Sequence, residues 1–152
     1  MPIVGAISDT HGLLRPEVLK LFKSVDLILH AGDIGDPQIL EQLTVLAQTI
    51  AVRGNNDKGE WARRIPESRQ IDVGGISIFM IHDVKEITAS SHSGADVILS
   101  GHSHKPSIER RDGILYLNPG SAGPRRFKLP VSVARITVSK SQVTARLIEI
   151  RI

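Results

Sequence analysis

The chain has 152 residues, 41% apolar and 23% charged, which suits a single globular domain spanning residues 1–152. Its net charge of +3 is spread along the chain and aromatic residues make up only 3%, so a dedicated nucleic-acid-binding module is not expected. Cysteine is absent, which excludes disulfides and thiolate metal sites and leaves His, carboxylate, amide or water for any metal. Neither a basic signal-peptide start nor an apolar run near membrane length is seen, so the expectation is a cytoplasmic protein with no membrane partner.

Taken in order, Ile3 to Ile7 reads as a buried strand that delivers Ser8-Asp9-Thr10-His11-Gly12 into a loop. Pro16 suits the first turn of a helix carrying Val18, Leu19, Leu21 and Phe22 on one side. A second strand, Asp26 to His30, runs into Ala31-Gly32-Asp33. Asp36-Pro37 then reads as an N-cap followed by proline at the first helical position, and Ile39, Leu40, Leu43 and Leu46 continue a helical stripe. The third strand, Thr49 to Val52, ends in Arg53-Gly54-Asn55-Asn56-Asp57. This strand–helix alternation marks a parallel sheet with covering helices, and ligands in such sheets bind beyond the carboxyl ends of the strands.

From residue 67 the pattern changes. Arg69 to Val73 and Ile76 to Ile81, joined by Gly74-Gly75, read as a hairpin ending in His82-Asp83. Residues 84–94 make at best a weak helix. The apolar run Asp96 to Ser100 leads into Gly101-His102-Ser103-His104. If the backbone stays extended, His102 and His104 present both imidazoles on one face. Strands are expected at 107–111, 114–117, 131–138 and 143–152. In the last of these the apolar phase slips, which a β-bulge or burial on both faces would explain. The second half reads as mostly antiparallel. The whole is expected to be an α/β (α+β) fold of two stacked mixed β-sheets flanked by helices, and exposed apolar residues in the terminal strand allow a homo-oligomer.

The strand ends collect two carboxylates, one amide and four imidazoles: Asp9, His11, Asp33, Asn55, His82, His102 and His104. A mixed nitrogen and oxygen set suits manganese, iron, zinc or cobalt. Seven ligands exceed one tetrahedral ion and suit two ions sharing a bridging carboxylate, a pair that can clamp the oxygens of an in-line phosphoryl displacement.

Asp9-Thr10-His11, Gly32-Asp33, Gly54-Asn55-Asn56-Asp57, His82 and Gly101-His102-Ser103-His104, in this order, resemble the signature of the calcineurin-like metallophosphoesterases. The short length and Asn118-Pro119-Gly120-Ser121 resemble their small YfcE-like bacterial and archaeal phosphodiesterase branch. The resemblance runs from residue 3 to about residue 121, and it implies an α/β/β/α sandwich and hydrolysis of a small or nucleotide-like phosphodiester by a metal-bridging hydroxide. It places Asp9, His11 and His104 on a first metal, Asn55, His82 and His102 on a second, and Asp33 between them. Asp33, Asn55 and His102 would be catalytic, and Asn55 and Asn56 would bind substrate. The cofactors would be two divalent ions, manganese foremost, with nickel, iron, zinc and cobalt as alternatives. The retromer scaffold subunit shares this fold, so a protein-binding scaffold is the alternative function.

Two departures stand out. Many family members carry His where this chain has Asn56, and an amide cannot act as a general acid near pH 7. His82 is followed by Asp83, where Gly-His is common. Among the remaining residues, His30 reads as packed or hydrogen-bonded at a strand end, His92 as a loop residue and Asp57 as a loop cap. Arg53, Arg125 and Arg126 read as surface charge before phosphate contacts, Trp61 as lining the site or anchoring its loop, and Asn118 to Ser121 as a turn whose backbone could contact substrate.

Overall fold

Alternation along one strand shows how the core is divided. In Ile76–Ile81, residues Ile76, Ile78 and Met80 enter the main core, while Phe79 and Ile81 turn to the opposite face. The computed structural model describes residues 2–88, 94–126 and 128–152. The strands are β1 Ile3–Ile7, β2 Leu27–His30, β3 Gln48–Ala51, β4 Ser68–Val73, β5 Ile76–Ile81, β6 Val97–Leu99, β7 Ser107–Arg111, β8 Ile114–Asn118, β9 Val131–Ser139 and β10 Gln142–Ile150. They form two five-stranded sheets, ordered β10-β9-β1-β2-β3 and β4-β5-β6-β8-β7.

The main core lies between the sheets. Val4, Ala6, Leu29, Ala134 and Ile136 of the first sheet meet Ile78, Met80, Val97, Leu99 and Leu117 of the second. Helices α1 Pro16–Leu21 and α2 Pro37–Leu46 cover the other face of the first sheet, where Val18, Phe22, Ile39 and Leu43 pack on Ile7, Ile28 and Val133. The helix signals hold: Pro16 and Pro37 sit in first turns, and the Asp36 side chain accepts from the Gln38 N–H at 2.9 Å. A third helix, α3 Glu60–Arg63, is one turn long, and its Trp61 packs against this second core as a loop anchor. Among the described residues, the outer face of the second sheet carries a single 3-10 turn, Val84–Glu86, in place of the weak helix expected there. His92 lies outside the described residues.

The second half is less antiparallel than its hairpins suggest. β4–β5 and β7–β8 are antiparallel, but the central β6 runs parallel to both β5 and β8. The physical mark is the unbroken apolar run of β6, buried at all three residues as in parallel sheets covered on both faces. The phase slip in β10 has no bulge. Its ladder with β9 is continuous from Gln142 to Ile150, and the strand changes the core it serves, with Val143 and Ala145 toward the inter-sheet core and Ile148 and Ile150 toward the helix side.

His30 ties the first two strand ends together. Its imidazole is fully buried. Nδ1 accepts the Gly32 N–H at 3.1 Å, so the ring hydrogen sits on Nε2 and faces the Thr10 hydroxyl at 3.0 Å. Thr10 in turn donates to the Ile34 carbonyl at 2.8 Å. Burial pushes the His30 pKa down from 6.5 to about 4, so the folded state wants the neutral ring. The unfolded chain binds the extra proton, so this stabilisation is complete above pH 6.5 and is lost as pH falls from 6.5 toward 4. Urea unfolding at pH 7.5 and 4.5 is expected to differ by about 2–3 kcal/mol from this source. His30→Gln should be less stable at pH 7.5 and show a flatter pH dependence, and an unchanged slope would place the effect elsewhere.

Candidate metal centre

The site is assembled from four loops at the carboxyl ends of β1, β2, β3 and β6, together with His82 just past β5. The loop after β1 continues the parallel ladder beyond the strands. The N–H groups of Asp9, His11 and Gly12 donate to the carbonyls of Gly32, Asp33 and Ile34 at 2.8–3.0 Å. Asp9, His11, Asp33, His102 and His104 all adopt positive φ, between 45° and 73°. That left-handed conformation is unusual away from glycine and costs about 1–2 kcal/mol per residue. It also corrects the extended reading of the Gly101–His104 stretch. β6 ends at Leu99, and His102 and His104 diverge into different clusters.

Asp9, His11 and His104 form one cluster; Asp33, His82 and His102 form the other. In the first, Asp9 Oδ2 accepts from the Ser8 hydroxyl at 2.7 Å and the His102 N–H at 3.1 Å. Its Oδ1 is left facing His104 Nε2 at 3.4 Å and His11 Nε2 at 3.7 Å. The two Nε2 atoms are themselves 3.4 Å apart. In the second, His82 Nδ1–H donates to the Ala31 carbonyl at 2.8 Å, which turns Nε2 toward Asp33 Oδ2 at 3.2 Å. Asn55 Oδ1 lies 3.2 Å from His102 Nδ1. Asp33 stands between the clusters, since its Oδ2 is also 3.7 Å from His11 Nε2.

Asn56 grips Asp33 from both ends of its own residue, its N–H to Oδ1 at 2.9 Å and its amide Nδ2 to Oδ2 at 3.0 Å. Asp57 takes three backbone N–H groups, those of Ile34, Gly35 and Gly54, and so caps the loop while joining it to the Asp33 turn. The glycines of the motifs are spacers. A Cβ on Gly54 would run into the Asp33 backbone and carboxylate, and one on Gly101 into the side chains of Ser8 and Asp9.

Several positioning residues lay outside the sequence expectation. Asn118 donates to the Gly101 carbonyl and to Ser103 Oγ, and accepts from the Gly120 N–H, holding the histidine loop. Ser121 donates to the Asp9 carbonyl at 3.0 Å. The sequence marked this stretch as a turn and as part of the family resemblance, without naming these partners. Arg53 is paired with Glu67 at 2.9 Å. Arg126 is exposed but close enough for its charge to act on His104.

The electrostatics favour a cation. Burial acts to raise the pKa of Asp33, but His82 and the Asn56 donors outweigh it and hold the carboxyl well below the usual carboxylate range. Asp9 is likewise lowered, its burial outweighed by His11, Ser8 and the charges of His82 and His104. Burial would lower His82, yet Asp33 and Asp9 draw its pKa upward, whereas burial keeps His104 below the ordinary value. Among the described residues four buried side-chain atoms lack a hydrogen-bond partner, and three belong here: Asp9 Oδ1, His82 Nε2 and His104 Nδ1. Of these, Asp9 Oδ1 faces the Nε2 atoms of His104 and His11, and His82 Nε2 faces Asp33 Oδ2; lone pairs turned toward one another in this way are met singly by protons and collectively by a cation, so this donor set fits divalent metal.

Residues 3–141 match the calcineurin-like phosphoesterase superfamily domain. A probable metallophosphoesterase of Methanothermobacter thermautotrophicus is 38% identical, with 91% of this chain and 88% of that protein covered. The phosphodiesterase MJ0936 of Methanocaldococcus jannaschii is 30% identical over 77% of this chain and 82% of its own length. Vps29 of Chaetomium thermophilum superposes with a TM-score of 0.83 over 99% of this chain and 90% of that one, at 17% identity, which shows a shared fold. With its signature residues gathered at the strand ends of such a sandwich, the chain belongs to the calcineurin-like phosphoesterase superfamily.

Proposed function

We propose that the chain is a dinuclear metal-dependent phosphodiesterase acting on a small or nucleotide-like diester in the cytoplasm. The observation that carries this reading is the pair of ligand clusters with Asp33 between them. Asp9, His11 and His104 would hold one ion, Asn55, His82 and His102 the other, and Asp33 would bridge. When bound, two divalent ions, manganese foremost, would supply Lewis acidity and lower the pKa of a water.

The chain's own residues do the rest. Ser8 and the His102 N–H fix one oxygen of Asp9, so the other is presented in one direction. Asn56 holds both oxygens of Asp33. Asn55, exposed at the rim with its Oδ1 toward His102, keeps its amide N–H groups for a non-bridging phosphate oxygen. Asn56 has no proton to give a departing alcohol, and its amide is engaged by Asp33. General acid help is worth about 10²–10⁴-fold, so the reaction is expected to favour diesters with good leaving groups. The Vps29 likeness favours a scaffold as the second reading. A surface that only binds protein has no physical need for buried imidazole lone pairs aimed at carboxylates.

Metal-stripped protein should not hydrolyse bis(4-nitrophenyl) phosphate and should gain activity on adding manganese. Asp33→Asn should lose at least about 10²-fold, the upper end of what an outer-shell partner alone costs. A protein that takes up no metal and stays inactive with several divalent ions would favour the scaffold. In a second assay, the aryl diester should turn over at least about 10²-fold faster than an alkyl phosphomonoester. Equal rates would refute the missing-acid argument.

A further inference from the structure

A cleft of about 240 Å³ opens beside the second cluster, and Asn55, His82 and His102 are part of its lining. His82, 4% exposed, contributes to the cleft lining while its Nε2 turns into the cluster, 3.2 Å from Asp33 Oδ2. The charged residues of the lining are Arg53, Glu67, Asp83 and Glu86. One guanidinium against three carboxylates leaves a formal charge of −2, and the guanidinium is already bonded to Glu67 at 2.9 Å. Glu86 is exposed on the 3-10 turn. Asp83 uses Oδ1 to cap that turn through the Lys85 N–H and keeps Oδ2 beside His102 Nε2 at 3.8 Å.

A neighbouring cleft of about 200 Å³ differs in both respects. It touches the clusters only at His102; Asp83 lines both clefts, and the charges this one adds are Glu109 against Lys85 and Arg111. A phosphate lodged between the clusters therefore has an acidic channel for one of its two ester arms, in direct contact with the residues that would hold it.

We propose that the cleft between His82, Asp83 and Glu86 is the subsite for one ester arm and selects a cationic amino-alcohol arm over an anionic one. This rests on the phosphodiesterase reading and narrows its substrate class. A carboxylate-bearing or further-phosphorylated arm meets the Glu86 and Asp83 carboxylates there, whereas an ammonium gains from them. Because Glu86 is exposed, the effect is moderate and screened by salt.

The test uses three manganese-loaded assays at low salt, on 4-nitrophenyl diesters whose second arm is 2-aminoethyl, ethyl or 2-carboxyethyl. kcat/KM is expected to fall in that order, by about five- to tenfold overall, and to converge in 0.5 M salt. Glu86→Lys, an exposed change that leaves the core alone, should abolish or invert the order. In parallel, calorimetry on the loaded protein should show phosphoethanolamine binding more tightly than 2-carboxyethyl phosphate. Equal or inverted preference in the wild type overturns the subsite. If no diester is hydrolysed, the phosphodiesterase reading fails, and the calorimetric order alone decides the subsite.

Discussion

The carboxylate of Asp9 is the point on which the two sheets are brought to one place. It leaves β1 of the first sheet, and its Oδ2 accepts the N–H of His102, which follows β6 of the second. Ser8 braces the same oxygen and Ser121 takes the Asp9 carbonyl. The carboxylate is fully buried, so its desolvation has to be offset by these donors and by the imidazoles around Oδ1. Everything else in the site is placed relative to this group: the histidine loop through its backbone N–H, and His11 two residues along the same turn.

That placement is held against a backbone preference. Five ligand-bearing residues in the left-handed region represent several kcal/mol that local sequence does not supply. The compensation is visible in bonds between loops, with Asp9, His11 and Gly12 laddered onto the Gly32 to Ile34 turn and Gly101 N–H bound to the His82 carbonyl. The buried His30–Thr10–Ile34 chain and the three acceptor contacts of Asp57 add to it. The strain therefore sits where side chains of opposite strand ends must face one another, and the cost is distributed over hydrogen-bonded supports.

How much of this could be read in advance follows from what short-range sequence records. Buried apolar runs such as Ile3 to Ile7 and Leu27 to Leu29 announce strands, and polar groups after each run announce a site at the carboxyl ends. Asp36-Pro37 and Gly74-Gly75 announce a cap and a hairpin because those residues act on their own backbone. The divergence of His102 and His104 was not legible, since nothing in Gly101-His102-Ser103-His104 marks a left-handed turn at non-glycine positions. The side-chain roles of Asn118 and Ser121 were not legible because their partners, Gly101 and Asp9, lie 17 and 112 residues away. The parallel placement of β6 was hidden for the same reason: three apolar residues name no neighbour.

Ownership of the two ligand clusters is divided. Asp9 and His11 come from the first sheet and His104 from the second; Asp33 comes from the first, His82 and His102 from the second. Neither half of the sandwich contains a binding set of its own, so the chemistry exists only as long as the layers stay in register. The same arrangement makes each cluster a clasp across the inter-sheet core, at the one edge where the apolar layer of Met80, Leu99 and Leu117 gives way to polar side chains. Slippage between the layers, which hydrophobic contact alone resists only loosely because it has no direction, would there have to part carboxylate from imidazole.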